Sequence, residues 1–439
     1  MIVSRRSTLL TTLFGAGYVG LRALATGLPV SFLLNPRKAM ADGSMTCANK
    51  SKAQYVIFQT SGSGDPINAS VPGTYEDSKI VHSSDPTMAP TSITVGGQTY
   101  QAAAPWATLP ASVLARMQFW HIMTDTPIHP KEPQVLQLMG ATQNESNEMF
   151  PSLLAKALAP CLGTIQQQPI CIGAASPSEA LSFAGAVQPI VPPTALKATL
   201  ANPTGPLTTL QPLRDQTLDS LYDLYKNAAS PAQKAYIDSL VTSQQQVRNI
   251  KQSMLNALTS IKDNSADSQV LAAITLIQMQ VAPVISIHIP FGGDNHRDVA
   301  LATETTQTVS GVATIASLMS QLQTAGLQDA VSFMSLNVFG RTIGPGNTDG
   351  RQHNQNHQAS LVIGSPFKGA VIGGVTPVGS DYGATTINSK TGAGGSGGDI
   401  QAVDTLSAFA MTMLSAVGAD PTVLTSPGNT AKVVTSALV

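Results

Sequence analysis

The chain has 439 residues, only 11% of them charged, and a formal net charge of −1. A chain this poor in charge and slightly acidic lacks the basic surface that nucleic-acid binding requires, which argues against a nucleic-acid partner. Neutral polar residues are abundant instead, as suits the surface of a secreted protein.

Ser4-Arg5-Arg6-Ser7-Thr8-Leu9-Leu10 opens the chain with paired arginines, and an apolar stretch interrupted at Arg22 runs to Leu34. Ala39-Met40-Ala41 then offers the small-x-small pattern that a signal peptidase reads ahead of polar Asp42. Residues 1–41 are expected to be a twin-arginine signal, handed to the twin-arginine export machinery and cleaved after Ala41, with a periplasmic or secreted product. The competing reading is an uncleaved anchor, because the stretch reaches the about 20 residues that cross a bilayer; Arg22 and the Ala-x-Ala site favour cleavage. Cleavage removes five basic residues and no acid, taking the net charge from −1 to −6. No later apolar run is long enough to span a membrane. Cys47, Cys161 and Cys171 would then meet an oxidising compartment, and the closeness of Cys161 to Cys171 predicts a short disulfide loop that leaves Cys47 over.

Residues 42–439 show no dividing linker and no fixed-period repeat, so one large domain is expected. Gln54–Thr60 is an apolar, β-prone run ending at Ser61-Gly62-Ser63-Gly64-Asp65. Met117–Ile122, Val281–Ile289, Val331–Phe339 and Ala359–Ile363 are further expected strands. A helical insertion is expected at about 207–280. Within it Leu218–Ala228 and Asp267–Gln280 frame a long amphipathic helix that starts at Ser230-Pro231 and carries Ile237, Leu240, Val247, Ile250, Met254 and Leu258 at helical spacing. Residues 369–398 are rich in Gly, Ser and Thr with no phosphate-loop lysine, so a flexible loop is expected there. Strands alternating with helices point to an α/β fold.

Candidate chemistry gathers in loops after strands, where open α/β sheets bind ligands. Asp294 and His296 stand two residues apart after the strand ending at His288-Ile289-Pro290. They could ligate one ion or two adjacent ones, although Gly, Asp and Asn also build ordinary turns. Asp349, His353 and His357 recur every four residues. On one helix these eight residues would rise about 12 Å, too far for a single ion, so either the segment is a loop or two ions share it. Asp65, Asn68 and His129 are further candidates. His82 and His121 read as packing or surface residues, and His288 as a core-edge residue able to support a ligand.

The ordered set Gly62-Ser63-Gly64-Asp65-Pro66-Ile67-Asn68, Gly293-Asp294-Asn295-His296, Asn337-Val338-Phe339-Gly340-Arg341-Thr342, His353, His357 and Phe367–Gly374 resembles the twin-arginine-exported domain of unknown function 1501 family. That family is similar to the alkaline phosphatase and sulfatase superfamily. The resemblance implies a central mixed, mostly parallel sheet flanked by helices. It implies divalent metal ions, zinc among the candidates, bound by Asp65, Asp294, His296 and either His353 or His357, with Asp349 alongside. It also implies an anionic ester substrate held by Arg341 or Arg297, and a nucleophile for which Thr124 and Thr126 are the candidates. The sequence departs from the family pattern at Val338, where Glu is usual, and in spreading Asp349, His353 and His357 where the family has Asp-His-Gly. A phosphate or sulfate ester hydrolase is therefore expected, with a non-catalytic secreted binding protein of the same fold as the alternative.

Overall fold

The computed structural model describes residues 47, 49–61, 66–137, 148–174, 180–200, 211–228, 234, 238, 241, 257–291, 294–425 and 427–439. The export signal, Asp65 and most of the long helix expected after Ser230 lie outside the described residues.

Seven strands form one sheet: β1 (Tyr55–Ser61), β2 (Met117–Ile122), β3 (Ile170–Cys171), β4 (Val284–Ile287), β5 (Val331–Asn337), β6 (Gln358–Ile363) and β7 (Ala370–Ile372). Their order is β7-β2-β6-β5-β1-β4-β3. All neighbours are parallel except that β6 runs against both β2 and β5. One edge of the sheet therefore collects the carboxyl ends of six strands and the amino end of β6. The fold is α/β, as the alternation in the sequence suggested, with the mixed, mostly parallel sheet and flanking helices that the resemblance implied.

The central strands are apolar on both faces because helices cover both. On one side pack α4 (Ala266–Gln278) and α5 (Ala302–Thr324), and on the other α1 (Phe150–Leu162) and α6 (Thr405–Ala416). Two further helices are α2 (Pro193–Leu200), ahead of the expected insertion, and α3 (Gln211–Ala228), inside it. Along β1 the two-residue period of a strand sorts side chains between layers. Tyr55 and Ile57 join Val312, Ile315 and Leu318 of α5, whereas Val56 and Phe58 join Phe150 of α1 and Phe409 of α6. Burying such a side chain contributes about 1.5–3 kcal/mol, so a polar replacement at Phe58 or Ile57 would cost the layer it faces.

The expected strand at 281–289 is shortened to β4, and the two-residue β3 carried too little sequence for a periodicity to show. Residues 369–398 are not a featureless loop. They supply β7 and a hairpin that pairs Val375–Val378 with Asp381–Ala384. Their glycines serve close backbone approach: a Cβ on Gly394 would lie 2.6 Å from the Gly373 carbonyl carbon.

The expected disulfide is corrected. Cys161 pairs with Cys47, across a sequence separation of 114, and not with Cys171. Cys161 ends α1 half-buried, whereas Cys171 is buried in β3, where its thiol points at the Gly173 carbonyl at 3.5 Å. Nearness in sequence misled because a helix end and a sheet strand hold the two side chains apart. Among the described residues, no helix is long and apolar enough to cross a membrane.

Candidate metal centre

Three loops at the carboxyl edge of the sheet converge. After β2 the chain passes Thr124-Asp125-Thr126-Pro127 to a short 3-10 helix, His129–Lys131. After β4 it turns through Asp294-Asn295-His296. After β5 it forms a narrow ribbon in which Gly340–Arg341 pairs with His353–Asn354, placing Arg341 directly opposite His353.

A buried network fixes the second loop against the third. Arg351 and Glu304 are almost fully buried and form a two-point ion pair, Nε to Oε2 at 2.5 Å and Nη2 to Oε1 at 3.0 Å. Arg351 also donates to the carbonyls of Thr342 and Val81, and its backbone N–H to that of Asn295. Burial pushes the Glu304 carboxyl up, and the Arg351 guanidinium opposes that shift. Asp298 accepts the backbone N–H groups of Thr303 and Glu304 at 2.7 and 2.8 Å, anchoring the start of α5 to the same loop. Gly350 has φ +120° and lies against this loop; a Cβ there would come within 2.4 Å of the His296 carbonyl.

The result is a four-residue cluster, His129, Asp294, His296 and His353, whose ligand atoms all lie within 4.8 Å of one another and could hold a metal ion. His296 Nε2 is 2.9 Å from Asp294 Oδ1 and 2.9 Å from His353 Nε2, and His129 Nε2 is 3.9 Å from Asp294 Oδ2. These spacings bracket the about 3.3 Å edge of a tetrahedron whose ligands stand about 2.0–2.1 Å from a zinc-sized ion. Proton positions favour a cation as well. A carbonyl can only accept, so the contact from His353 Nδ1 to Pro127 O places that ring's proton on Nδ1. His296 Nδ1 donates likewise to Gln352 Oε1 at 2.8 Å. Both Nε2 atoms are then left as acceptors that face each other and a carboxylate, as ligand atoms turned toward one ion would be, with the Arg341 guanidinium at their side. Burial, first, lowers the pKa of His353, and the nearby Arg341, His129 and His296 lower it further, which keeps its ring neutral and able to ligate.

Arg341 borders the cluster. Its side chain is fully buried, with Nη2 3.3 Å from Asp294 Oδ1 and Nη1 3.4 Å from His296 Nε2, and its guanidinium packs over the Phe339 ring at 5.3 Å. Phe339 also packs against His129 and His353, with centroids 5.0 and 4.2 Å away, and so limits how those rings can turn.

Of the residues expected from the sequence, Asp294, His296 and His353 come together, and Arg341 adjoins them. His129 completes the set. The sequence offered it as a further candidate outside the expected ligand set, and the signal that could have raised it is its place in a loop leaving the same sheet edge. His357 lies elsewhere, fully buried, with Nε2 2.8 Å from His121 Nδ1. Asp349 is exposed on the 3-10 helix Asn347–Asp349, and Arg297 is exposed. Thr124 and Thr126 are buried in the loop before His129. Asn68 sits on the 3-10 helix Pro66–Ala69, and Asp65 is outside the described residues. His82 stacks on Tyr75 at 3.8 Å, and the His288 backbone N–H donates to Gln269 Oε1.

No protein-family model matches the chain, and no curated protein matches it either.

Proposed function

We propose that the chain is an exported, metal-dependent hydrolase of phosphate or sulfate esters. The observation that carries this reading is the convergence of three imidazoles, one carboxylate and a buried guanidinium at the carboxyl edge of an α/β sheet. The donor set is imidazole and carboxylate without thiolate, which suits zinc and neighbouring first-row divalent ions. His129, Asp294, His296 and His353 would hold the ion, and the Pro127 carbonyl and Gln352 amide would orient two of the rings. Such an ion polarises an ester oxygen and lowers the pKa of a bound water.

The protein's own residues supply the rest. Arg341 presents a fixed cation beside the cluster and can grip two oxygens of a phosphate or sulfate group in a fork. Asp294 shares its carboxylate between that guanidinium and the imidazoles, and with 57% of its side chain exposed it can swing aside to open a position. The paired Arg5-Arg6 start and the resemblance to the family of domain 1501 support export and an alkaline phosphatase-like setting, and the mixed sheet with ligands at its carboxyl edge is consistent with that setting. Hydrolysis of 4-nitrophenyl phosphate and 4-nitrocatechol sulfate by zinc- or manganese-loaded protein tests the reading. Turnover that disappears on chelation, and in Arg341→Met, is expected. Absence of turnover with every first-row divalent ion would sink it.

One observation favours a second reading, a non-catalytic binding protein with a structural ion. Four protein ligands close a tetrahedral site, whereas catalytic sites keep one position for water. Under that reading chelation lowers the melting temperature, and no ester is turned over.

A further inference from the structure

The glycine-rich segment after β7 does more than extend the sheet. With Gly73–Asp77 and the turn-proximal residues of the hairpin Pro90–Val95/Gln98–Ala103, it walls a cleft of about 650 Å³. Small-ligand sites run from about 300 to 1,000 Å³. None of the four metal-cluster residues lines this cleft.

Its chemistry differs from that of the metal cluster. Among the described residues that line it there is no Lys, Arg or His, so these offer no fixed cation to an anionic group. Two carboxylates, Glu76 and Asp77, face it, along with the phenols of Tyr100 and Tyr382 and the Gln98 amide. Asp77 is already committed: Oδ2 accepts from Tyr382 at 2.6 Å and Oδ1 from the Lys79 backbone N–H at 2.9 Å. Those bonds lock the Tyr382 ring as a wall. Glu76 is exposed, so its two oxygens remain within reach of a ligand. Tyr100 donates to Gln98 Oε1 at 2.7 Å, which fixes the second ring and turns the Gln98 Nε2 donors outward. Thr385 also lines the cleft, but its Oγ1 is closed to water and so to a ligand hydroxyl, which leaves Glu76 and the Gln98 amide as the groups a ligand can reach.

A ligand for such a surface must present donors and acceptors together, carry no negative charge and offer a flat apolar face to tyrosine rings. We propose that this cleft binds a neutral saccharide, with Glu76 accepting from vicinal hydroxyls, Tyr100 giving a ring platform and the Gln98 amide donating to a further hydroxyl. Vicinal hydroxyls match the two oxygens of one carboxylate, and the C–H faces of a pyranose match an aromatic ring. The proposal is independent of the ester-hydrolase reading.

Isothermal titration with cellotetraose, maltotetraose, chitotetraose and mannotetraose tests it, on metal-loaded and on chelated protein, with spermidine and inorganic phosphate as controls. At least one tetrasaccharide should bind equally well with and without metal. Its affinity should fall about tenfold or more in Glu76→Gln, at an exposed position, and in Tyr100→Ala, at a partly buried one packed against the core, both checked for unchanged circular dichroism. No binding by any of the four saccharides, binding unaltered in both variants, or binding of spermidine in their place would overturn it.

Discussion

At the same edge of the sheet, His121 and His357 approach to 2.8 Å and His296 and His353 to 2.9 Å, yet the first pair is fully buried and the second half-exposed. His121 spends its Nε2 proton on the Pro72 carbonyl at 2.8 Å, so its Nδ1 must accept, and His357 Nε2 donates to it. Donor meets acceptor along that chain, and two neutral rings are enough. Burial drives the pKa of His121 down to about 4 and holds that of His357 well below the ordinary imidazole value, so both stay neutral. In the other pair both Nδ1 protons are spent outward, on Pro127 and Gln352, and acceptor meets acceptor beside a carboxylate. Residue type is the same in both pairs; where the outer nitrogen donates decides which one turns its ring acceptors inward, as metal ligands must be turned.

The comparison can be broken most strongly through the network that holds the exposed pair together. Arg351→Met leaves Glu304 buried without its counter-ion and should cost about 3–5 kcal/mol in urea unfolding. It should also weaken metal binding, because the Asp294–His296 loop is tied to the ribbon through these residues. His357→Leu removes the donor to His121 Nδ1 and should cost about 1–3 kcal/mol while leaving metal content unchanged. Gln352→Ala should do the opposite, lowering metal affinity by about 10–100-fold with little change in unfolding free energy. The smallest effect is the pH slope. Burial lowers His82 and His121 to about 4 each, from an ordinary value of 6.5. Above that ordinary value neither folded nor unfolded chain is protonated at these rings. As pH falls towards 4, the unfolded chain takes up protons that the folded one refuses, so stability falls by up to about 1.4 kcal/mol per pH unit for each ring. Melting temperatures of His82→Asn across pH 4–7 should show a shallower slope than those of the wild type.

The sheet was largely legible because its central strands are buried on both faces and read as continuous apolar runs, such as Tyr55–Phe58 and Val331–Leu336. Segments 54–60, 117–122, 331–339 and 359–363 each hold a strand, at Tyr55–Ser61, Met117–Ile122, Val331–Asn337 and Gln358–Ile363. Residues 369–398 were misread because glycine content signals looseness in sequence, whereas here it permits backbones to touch. At the site, Asp294, His296 and His353 were legible as acids and imidazoles placed near strand ends. The four-residue spacing of Asp349, His353 and His357 left a loop or a pair of ions as alternatives; Gly350 and the bend at Gln355–Asn356 send the three side chains to different places. His129 needed the third dimension, since it stands 165 positions before Asp294 in the chain. The disulfide failed for the same reason, sequence distance standing in for spatial distance.

Metal content decides the central claim. Protein purified without chelator and dialysed exhaustively, then measured by inductively coupled plasma mass spectrometry, should carry about one divalent ion per chain in the wild type and in His357→Leu. His353→Ala should carry almost none. A wild type without an ion, or a His353→Ala variant that keeps it, would contradict the assignment of His129, Asp294, His296 and His353 as a metal centre.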